Sequence, residues 1–447
     1  MTPARWTTQQ VLGLAPDKGS VAAARRLTSP RTWSQLGATE SLVFGRCQGS
    51  AKAPYQVTVD LTGPAFKCTC PSRKFPCKHG LALLLLWVEH GDLVGEAANA
   101  ADFADEWASE RRAKAEAKAT KAAKAANRPA EVVDPEARAR RQAEREAAMT
   151  AGLDELEQWL GDLVRQGLAG ARRQPYAFWD SMAARLVDAQ LPALADRVRE
   201  VGGGVAIAGR HDWADTLLAE CGRWQLAIHA WRRRATLGPA TVGDLRTFLG
   251  WPRRANEVAA FERVRDRWVV AGVRQGENDR IASQRTWLWG QRTGRWVVLL
   301  DFAAAGAVLK VAQVAGSVVD DAVVVHPGSD PVRAALSGEE RVVDRHTAPP
   351  GLRIAQAVDQ LATWLAANPW RDRFPVALGG VVLVPGDGGR WWFQDEAGDR
   401  LPLSPYVEPW LVLALSAGTP ATVTAEWERG VVYPMVVTPA AAEPVPV

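Results

Sequence analysis

Residues 55–91, YQVTVDLTGPAFKCTCPSRKFPCKHGLALLLLWVEHG, decide the fold of the first part of the chain. Residues 55–61 alternate apolar and polar side chains, which is the pattern of a half-buried β-strand. A Gly-Pro pair at residues 63 and 64 predicts a turn, and residues 65–70 are long enough for a returning strand. Apolar residues then recur at helical spacing over residues 81–88. The stretch therefore predicts the order strand, strand, helix.

Four candidate metal ligands lie within this stretch. Residues 68–79 read CTCPSRKFPCKH, which is a Cys-x-Cys pair, six residues and a Cys-x-His pair. The two-residue period of a strand places Cys68 and Cys70 on one face, and Cys77 and His79 fall at the start of the following helix. Three thiolates and an imidazole make a closed tetrahedral Cys3His set, so we predict one structural zinc ion with no open position for water.

The alternative is a chance cluster of buried or redox-active thiols, which leaves the matched Cys-x-Cys and Cys-x-His pairs unexplained. Cys47 and Cys221 are isolated in the sequence and are predicted to be buried rather than to bind metal. His90 ends the predicted helix, where it would complement the helix dipole.

Basic residues surround the four candidate ligands at Lys67, Arg73, Lys74 and Lys78. Their charge would favour the thiolate forms, and they are also candidate contacts to nucleic acid or another partner. Residues 1–90 carry eleven Lys and Arg against four Asp and Glu; this segment is +7 and leaves −3 for the rest of a chain whose net charge is +4. The asymmetry indicates an acidic partner for the basic segment.

The predicted fold class is α+β with several domains, since 447 residues suit two to four. An N-terminal domain over 1–108 contains the zinc module at about 53–91, and a charged Ala/Lys/Arg/Glu linker follows over 109–150. Leucines at helical spacing predict a helical domain over 151–250, and short apolar runs, among them Trp410 to Leu415, predict a β-rich domain with one helix over 251–435. Residues 436–447 are predicted to form a flexible tail.

Several classes of protein are disfavoured by the sequence. The longest aliphatic block, residues 81–88, is short of the ~20 residues of a membrane span, and no signal peptide is evident, so we expect a cytoplasmic protein without a membrane partner. The motifs G-x-x-x-x-G-K-[ST], H-E-x-x-H, G-x-S-x-G and G-x-G-x-x-G are absent, so we expect no enzymatic activity.

The four ligands and their surroundings resemble the SWIM-type zinc fingers, and the stretch from Cys47 to Trp87 resembles the bacterial SWIM zinc finger proteins. The resemblance covers about residues 1–110. It implies a ββα zinc module ligated by Cys68, Cys70, Cys77 and His79, in a family associated with binding DNA or proteins. It also implies, as partners, MoxR-class AAA ATPases and von Willebrand A-domain proteins.

Two functions remain open at this point. The first is a protein-interaction scaffold, which fits three domain-sized regions, a charged linker and the net acidic later domains. The second is a DNA- or RNA-binding protein that uses the basic residues of the zinc module.

Overall fold

The computed structural model describes residues 6, 8–15, 18–49, 53–61, 65–72, 74–113, 135–206, 213–251, 261–277, 281–304, 313–337, 341–344, 347–440 and 444–447. The predicted α+β class is confirmed: a mixed N-terminal module, a helical region and a β-rich region follow one another.

The N-terminal module is an antiparallel sheet covered by a buried helix. Its strands, in the order β1-β2-β3-β4, are β1 (Trp33–Ala38), β2 (Leu42–Cys47), β3 (Tyr55–Asp60) and β4 (Ala65–Cys68). Its helices are α1 (Thr8–Leu12), α2 (Lys18–Arg25), α3 (Lys78–Glu89) and α4, residues 102–113. The predicted hairpin and helix are β3, β4 and α3. Every residue of α3 from His79 to Trp87 is buried, because its run of leucines packs between α1, α2 and the sheet.

The helical region contains α5 (Pro135–Gln166), α6 (Leu168–Ala171), α7 (Tyr176–Asp188), α8 (Pro192–Ala206), α9 (Trp213–Arg232) and α10 (Pro239–Leu249). The predicted apolar stripes of α5 and α9 meet in one core, in which Leu156, Trp224 and Ile228 are fully buried. The predicted linker at 109–150 requires a correction, because α5 begins at Pro135 and Met149 already lies in this core. Ala, Arg and Glu are strong helix formers, so the composition that indicated a linker also extends this helix.

The first sheet of the β-rich region closes on itself. Its strands are β5 (Arg263–Glu277), β6 (Ile281–Gly290), β7 (Trp296–Ala304), β8 (Val318–Val325), β9 (Val332–Leu336) and β10 (Arg341–Asp344). The first five pair in the ring β5-β6-β7-β9-β8, in which only the β7–β9 pair is parallel, and β10 adds to β8. A five-stranded barrel with its third and fifth strands parallel has the topology of the OB-fold.

The second sheet has the order β13-β12-β11-β14-β15-β16. It consists of β11 (Arg373–Pro385), β12 (Trp391–Gln394), β13 (Arg400–Pro402), β14 (Ala421–Glu428), β15 (Val431–Pro439) and β16 (Val445–Pro446), with helices α11 (Ile354–Ala367) and α12 (Pro409–Ser416). Helix α11 is the predicted one.

Two further expectations for this region are wrong. Residues 410–415, predicted as a strand, belong to α12, because Pro409 occupies its first turn and a short apolar run does not distinguish strand from helix. The predicted flexible tail at 436–447 begins inside β15, and Val445–Pro446 pairs with Val436 and Val437. An edge strand tolerates proline, so the composition of this segment does not prevent pairing.

Buried contacts join the regions. Glu426 of β14 is fully buried and accepts hydrogen bonds from Arg274 of β5 at 2.7 Å, from Arg285 of β6 at 2.9 and 3.0 Å and from the indole of Trp287 at 2.9 Å. This network ties the barrel to the second sheet. Val314, just before β8, is buried in the core of the N-terminal module.

Candidate zinc centre

The first two ligands are positioned by the β3–β4 ladder. Cys68 is the last residue of β4 and lies opposite Val57 of β3. Pairing continues one residue further, because the Thr69 N–H donates to the Gln56 carbonyl at 3.1 Å and the Gln56 N–H donates to Thr69 Oγ1 at 3.0 Å. Two hydrogen bonds thus tie Thr69 to Gln56, which fixes the backbone between Cys68 and Cys70. Cys70 lies just beyond the strand rather than in it.

The other two ligands are positioned by the start of α3. Cys77 is the N-cap residue, with an extended backbone, and its carbonyl accepts the first helical hydrogen bond from the Leu81 N–H at 3.1 Å. His79 is the second residue of the helix and is 5% exposed. The approach of β4 to α3 therefore places both ligand pairs at the same end of the module.

The ligand atoms of all four residues lie within 4.8 Å of one another. His79 Nδ1 is 3.7 Å from Cys68 Sγ and 3.9 Å from Cys77 Sγ. Bond lengths of about 2.3 Å to sulfur and 2.0 Å to nitrogen in a tetrahedron give separations of roughly 3.6 Å. These distances and the Cys3His donor set fit a zinc ion, and among the residues that the structure describes no other group of three or more His, Cys, Asp or Glu side chains could hold a metal.

The three thiols of the cluster influence one another's pKa. Hydrogen bonds from Cys68, from His79 and from the backbone N–H of Gly80 at the helix start lower the pKa of Cys77 to about 4. The hydrogen bond to Cys77, together with burial, raises the pKa of Cys68, and burial raises the pKa of Cys70. Zinc binding to the three thiols is therefore expected to release protons and to depend on pH.

The surroundings of the cluster are closely packed. The ring of Tyr55 lies 5.0 Å from the His79 ring, centroid to centroid. A Cβ at Gly80 would lie 2.7 Å from the ring of Phe66, so α3 approaches β4 closely only because residue 80 is glycine. The sequence reasoning did not identify either contact, although Tyr55 and Val57 share one face of β3 and Val57 pairs with Cys68.

The remaining cysteines lie outside the ligand set. Cys47 is fully buried in the core of the N-terminal module, and burial raises its pKa to about 11. Cys221 is buried in the helical core, and burial again raises the pKa to about 11. Both are neutral buried thiols, as predicted. His90 is the C-cap residue of α3, also as predicted.

The basic residues around the ligands face solvent where the structure describes them. Lys67 lies on β4, Lys74 lies in the loop between the ligand pairs and Lys78 is the first residue of α3; all three are exposed. Arg73 lies outside the described residues. The described part of the chain contains no helix that is both long and apolar enough to cross a membrane.

The geometry of this centre agrees with the comparison to protein families. The family model of the SWIM zinc finger matches residues 55–87, which is the β3–β4–α3 unit with all four ligands. The model of the SWIM-associated four-helix bundle domain matches residues 144–249, from α5 to the end of α10. The chain therefore contains a SWIM-type zinc finger and a SWIM-associated four-helix bundle domain, and its Cys3His cluster fits a structural zinc ion. No curated protein and no solved structure matches the chain.

Proposed function

We propose that the chain is a non-enzymatic protein-interaction scaffold whose zinc ion has a structural role. The observation that carries this proposal is an exposed apolar patch on and beside α12, the α12 patch: Tyr406 is 73% exposed, Trp410 67% and Leu411 45%. Large apolar side chains grouped on a surface are typical of protein contacts. The closed four-ligand site argues against catalysis at the zinc ion, because it leaves no position there for substrate or water.

The charge distribution supports a protein partner for the later regions. Beyond residue 90 the chain has a net charge of −3, which disfavours nucleic acid there. From the resemblance to bacterial SWIM proteins we propose a MoxR-class AAA ATPase and a von Willebrand A-domain protein as partners, with the scaffold acting in the cytoplasm.

Co-elution on size-exclusion chromatography tests this proposal. The zinc-loaded full chain is mixed with the MoxR-class ATPase and the von Willebrand A-domain protein of its own organism. We expect a complex that the double substitution Tyr406→Ser, Trp410→Ser removes. The control is Leu218→Ser on α9, where a side chain that is 60% exposed lies in another region. Without co-elution, or with equal co-elution of all variants, this scaffold proposal is wrong.

The second candidate function is binding of DNA or RNA by the zinc module. It is favoured by the exposed Lys67, Lys74 and Lys78 and by Phe75 beside them, which is 37% exposed. Fluorescence anisotropy of labelled DNA and RNA, measured over a range of salt concentrations, tests it. Under this hypothesis Arg73→Ala and Lys74→Ala each lower the salt slope by about one, whereas Arg26→Ala, an exposed arginine elsewhere in the module, does not.

A further inference from the structure

A cleft lies on the outer face of the barrel, between the barrel and the helical region. Leu288 of β6 and Val297 of β7 point into the barrel core, so the alternate residues Arg285 and Phe302 face outwards. Outward-facing side chains of β6 and β7 line one lobe of the cleft together with α8, α10 and residues 368–373. The β8–β9 loop, α10 and residues 250–251 line a second lobe.

This location corresponds to the binding region of OB-folds. In that fold, ligands bind the face formed by the second and third strands and the loops between strands one and two and strands four and five. In this barrel β6 and β7 are the second and third strands, and residues 326–331 join the fourth strand to the fifth. The two lobes measure about 350 and 430 Å³ and have Asp244, Thr247, Arg333 and Arg371 in common. Cavities of this size suit a small organic ligand.

Among the described residues, five arginines line the first lobe, and three of them have carboxylate partners. Arg285 donates to Glu426 at 2.9 Å, Arg373 lies 2.7 Å from Glu428, and Arg197 lies 3.4 Å from Asp372. These three are neutralised within the protein and leave little capacity for a ligand.

The other two arginines have no carboxylate within 4 Å among the described residues. Arg333 of β9 is exposed towards both lobes, and its guanidinium makes no hydrogen bond to a described residue. Within the described part of the chain, Arg371 donates only to the Ser329 carbonyl, over a long 3.4 Å, and its Nε is buried without a partner. Asp244, Asp372 and Asp330 act on the charge of Arg371, and Asp301 acts on that of Arg333, but among the described residues none of these carboxylates lies within 4 Å of its guanidinium. The two guanidinium groups line both lobes, and their donors match the charge and the oxygens of a phosphate dianion better than a single carboxylate.

The cleft also offers an aromatic surface at its edge. Phe302, near the end of β7, is 60% exposed and lines the same lobe as the two unpaired arginines. The other aromatic residues of this lobe, Trp287, Phe248 and Trp370, are buried. An exposed ring beside a phosphate-binding pair can stack on a nucleobase.

We propose that this cleft binds a nucleoside monophosphate, with the phosphate between Arg333 and Arg371 and the base against Phe302. Asp244 holds the β8–β9 loop against α10, because its carboxylate accepts the Ser329 N–H at 2.9 Å. A Cβ at Gly328 would meet this carboxylate at 2.5 Å, so glycine allows the loop to lie so close. The site is separate from the zinc centre and does not depend on the scaffold proposal.

Calorimetric titration of the zinc-loaded full chain with AMP, ribose 5-phosphate, adenosine and inorganic phosphate tests this proposal. We expect saturable binding of AMP, weaker binding of ribose 5-phosphate and of inorganic phosphate, and none of adenosine. Arg333→Ala should weaken AMP binding about ten- to hundredfold, because a hydrogen bond to a charged group contributes about 1.5–3 kcal/mol. Arg333→Lys retains the charge without the bidentate geometry, so its affinity for AMP should lie between those of the original chain and of Arg333→Ala.

Phe302→Ala provides an independent measurement. It should reduce AMP affinity to that of ribose 5-phosphate and leave ribose 5-phosphate unchanged, because only the base contacts this ring. Arg263→Ala is the matched control, since Arg263 is an exposed β5 arginine without an ion pair to a described residue.

Three results would overturn the proposal. They are no saturable AMP binding at millimolar concentration, equal AMP affinity of the original chain and Arg333→Ala, and binding of an oligodeoxythymidylate in the absence of AMP binding. Thermal unfolding of each variant checks that it is folded.

Discussion

Replacing Gly80 by alanine sets two physical effects against each other at the zinc centre. Alanine is about 1 kcal/mol better than glycine inside a helix, so propensity alone predicts that Gly80→Ala stabilises α3. The new methyl group would lie 2.7 Å from Cδ1 of Phe66, however. Phe66 is 8% exposed, and its ring packs edge-on against the Phe75 ring with 5.9 Å between the ring centroids. The Phe66 ring therefore has little room to move away.

Relief of the clash must therefore separate α3 from β4, which carries Cys68. Overpacking costs about 1–3 kcal/mol, so after the gain in propensity we expect a net loss of up to about 2 kcal/mol. Because folding of the module is coupled to the metal, this loss should weaken zinc binding by up to about thirtyfold. Competition with a chromogenic zinc chelator measures the change.

Gly222→Ala is the matched control, because this glycine lies within α9 and a Cβ there would meet nothing within 4 Å. We expect it to leave zinc affinity unchanged and to raise the stability of the helical region. If Gly80→Ala binds zinc as tightly as the original chain, the close approach of α3 to β4 does not determine the ligand geometry, and the reasoning is wrong.

Three further predictions concern stability, measured by chemical denaturation. Glu426→Gln should cost about 3–5 kcal/mol, because it breaks a buried ion pair, whereas Glu396→Gln in an exposed turn should change stability by less than about 0.5 kcal/mol. Burial acts to raise the pKa of Glu426, but the hydrogen bond and charge of Arg285 lower it overall. The stabilisation that Glu426 contributes is therefore complete above about pH 4.3, the pKa of an unfolded glutamate. It decreases as the pH falls through the lower pKa of Glu426 in the folded protein. Glu426→Gln should therefore flatten the decrease in the free energy of unfolding at acidic pH. Met149→Ala should cost about 2–5 kcal/mol if the helical core begins before residue 150, and an effect below about 0.5 kcal/mol would contradict that boundary.

Local signals were sufficient to predict the zinc module. The alternation of Tyr55 to Leu61, the paired ligand spacing and the leucine-rich helix are all short-range patterns, and each corresponds to an element that packs against its neighbours in sequence. Strands β1 and β2 were not predicted. The sequence of β1, WSQLGA, alternates only weakly between apolar and polar residues. It forms a strand because it pairs with β2, and β2 in turn pairs with β3.

Long-range pairing explains why the rest was not predicted. The barrel closes through the parallel β7–β9 pair and the β8–β5 pair, which join distant segments and have no counterpart in sequence spacing. The cleft draws its two unpaired arginines from β9 and from the segment that follows α11, and neither stands in a recognisable motif. Whether Arg333 is paired depends on which carboxylates the fold places beside it, and a sequence alone does not contain this information.

The core of the zinc module includes Val314, a residue from a later part of the chain. This valine is 3% exposed and fills a place in the N-terminal core, although it precedes a barrel strand more than two hundred residues later in sequence. Burial of a valine side chain contributes about 1.5–3 kcal/mol. A fragment that ends after α4 would therefore expose the apolar cavity that Val314 fills, and it would tend to self-associate. In the intact chain, unfolding of the zinc module would release Val314 and the segment that leads into β8.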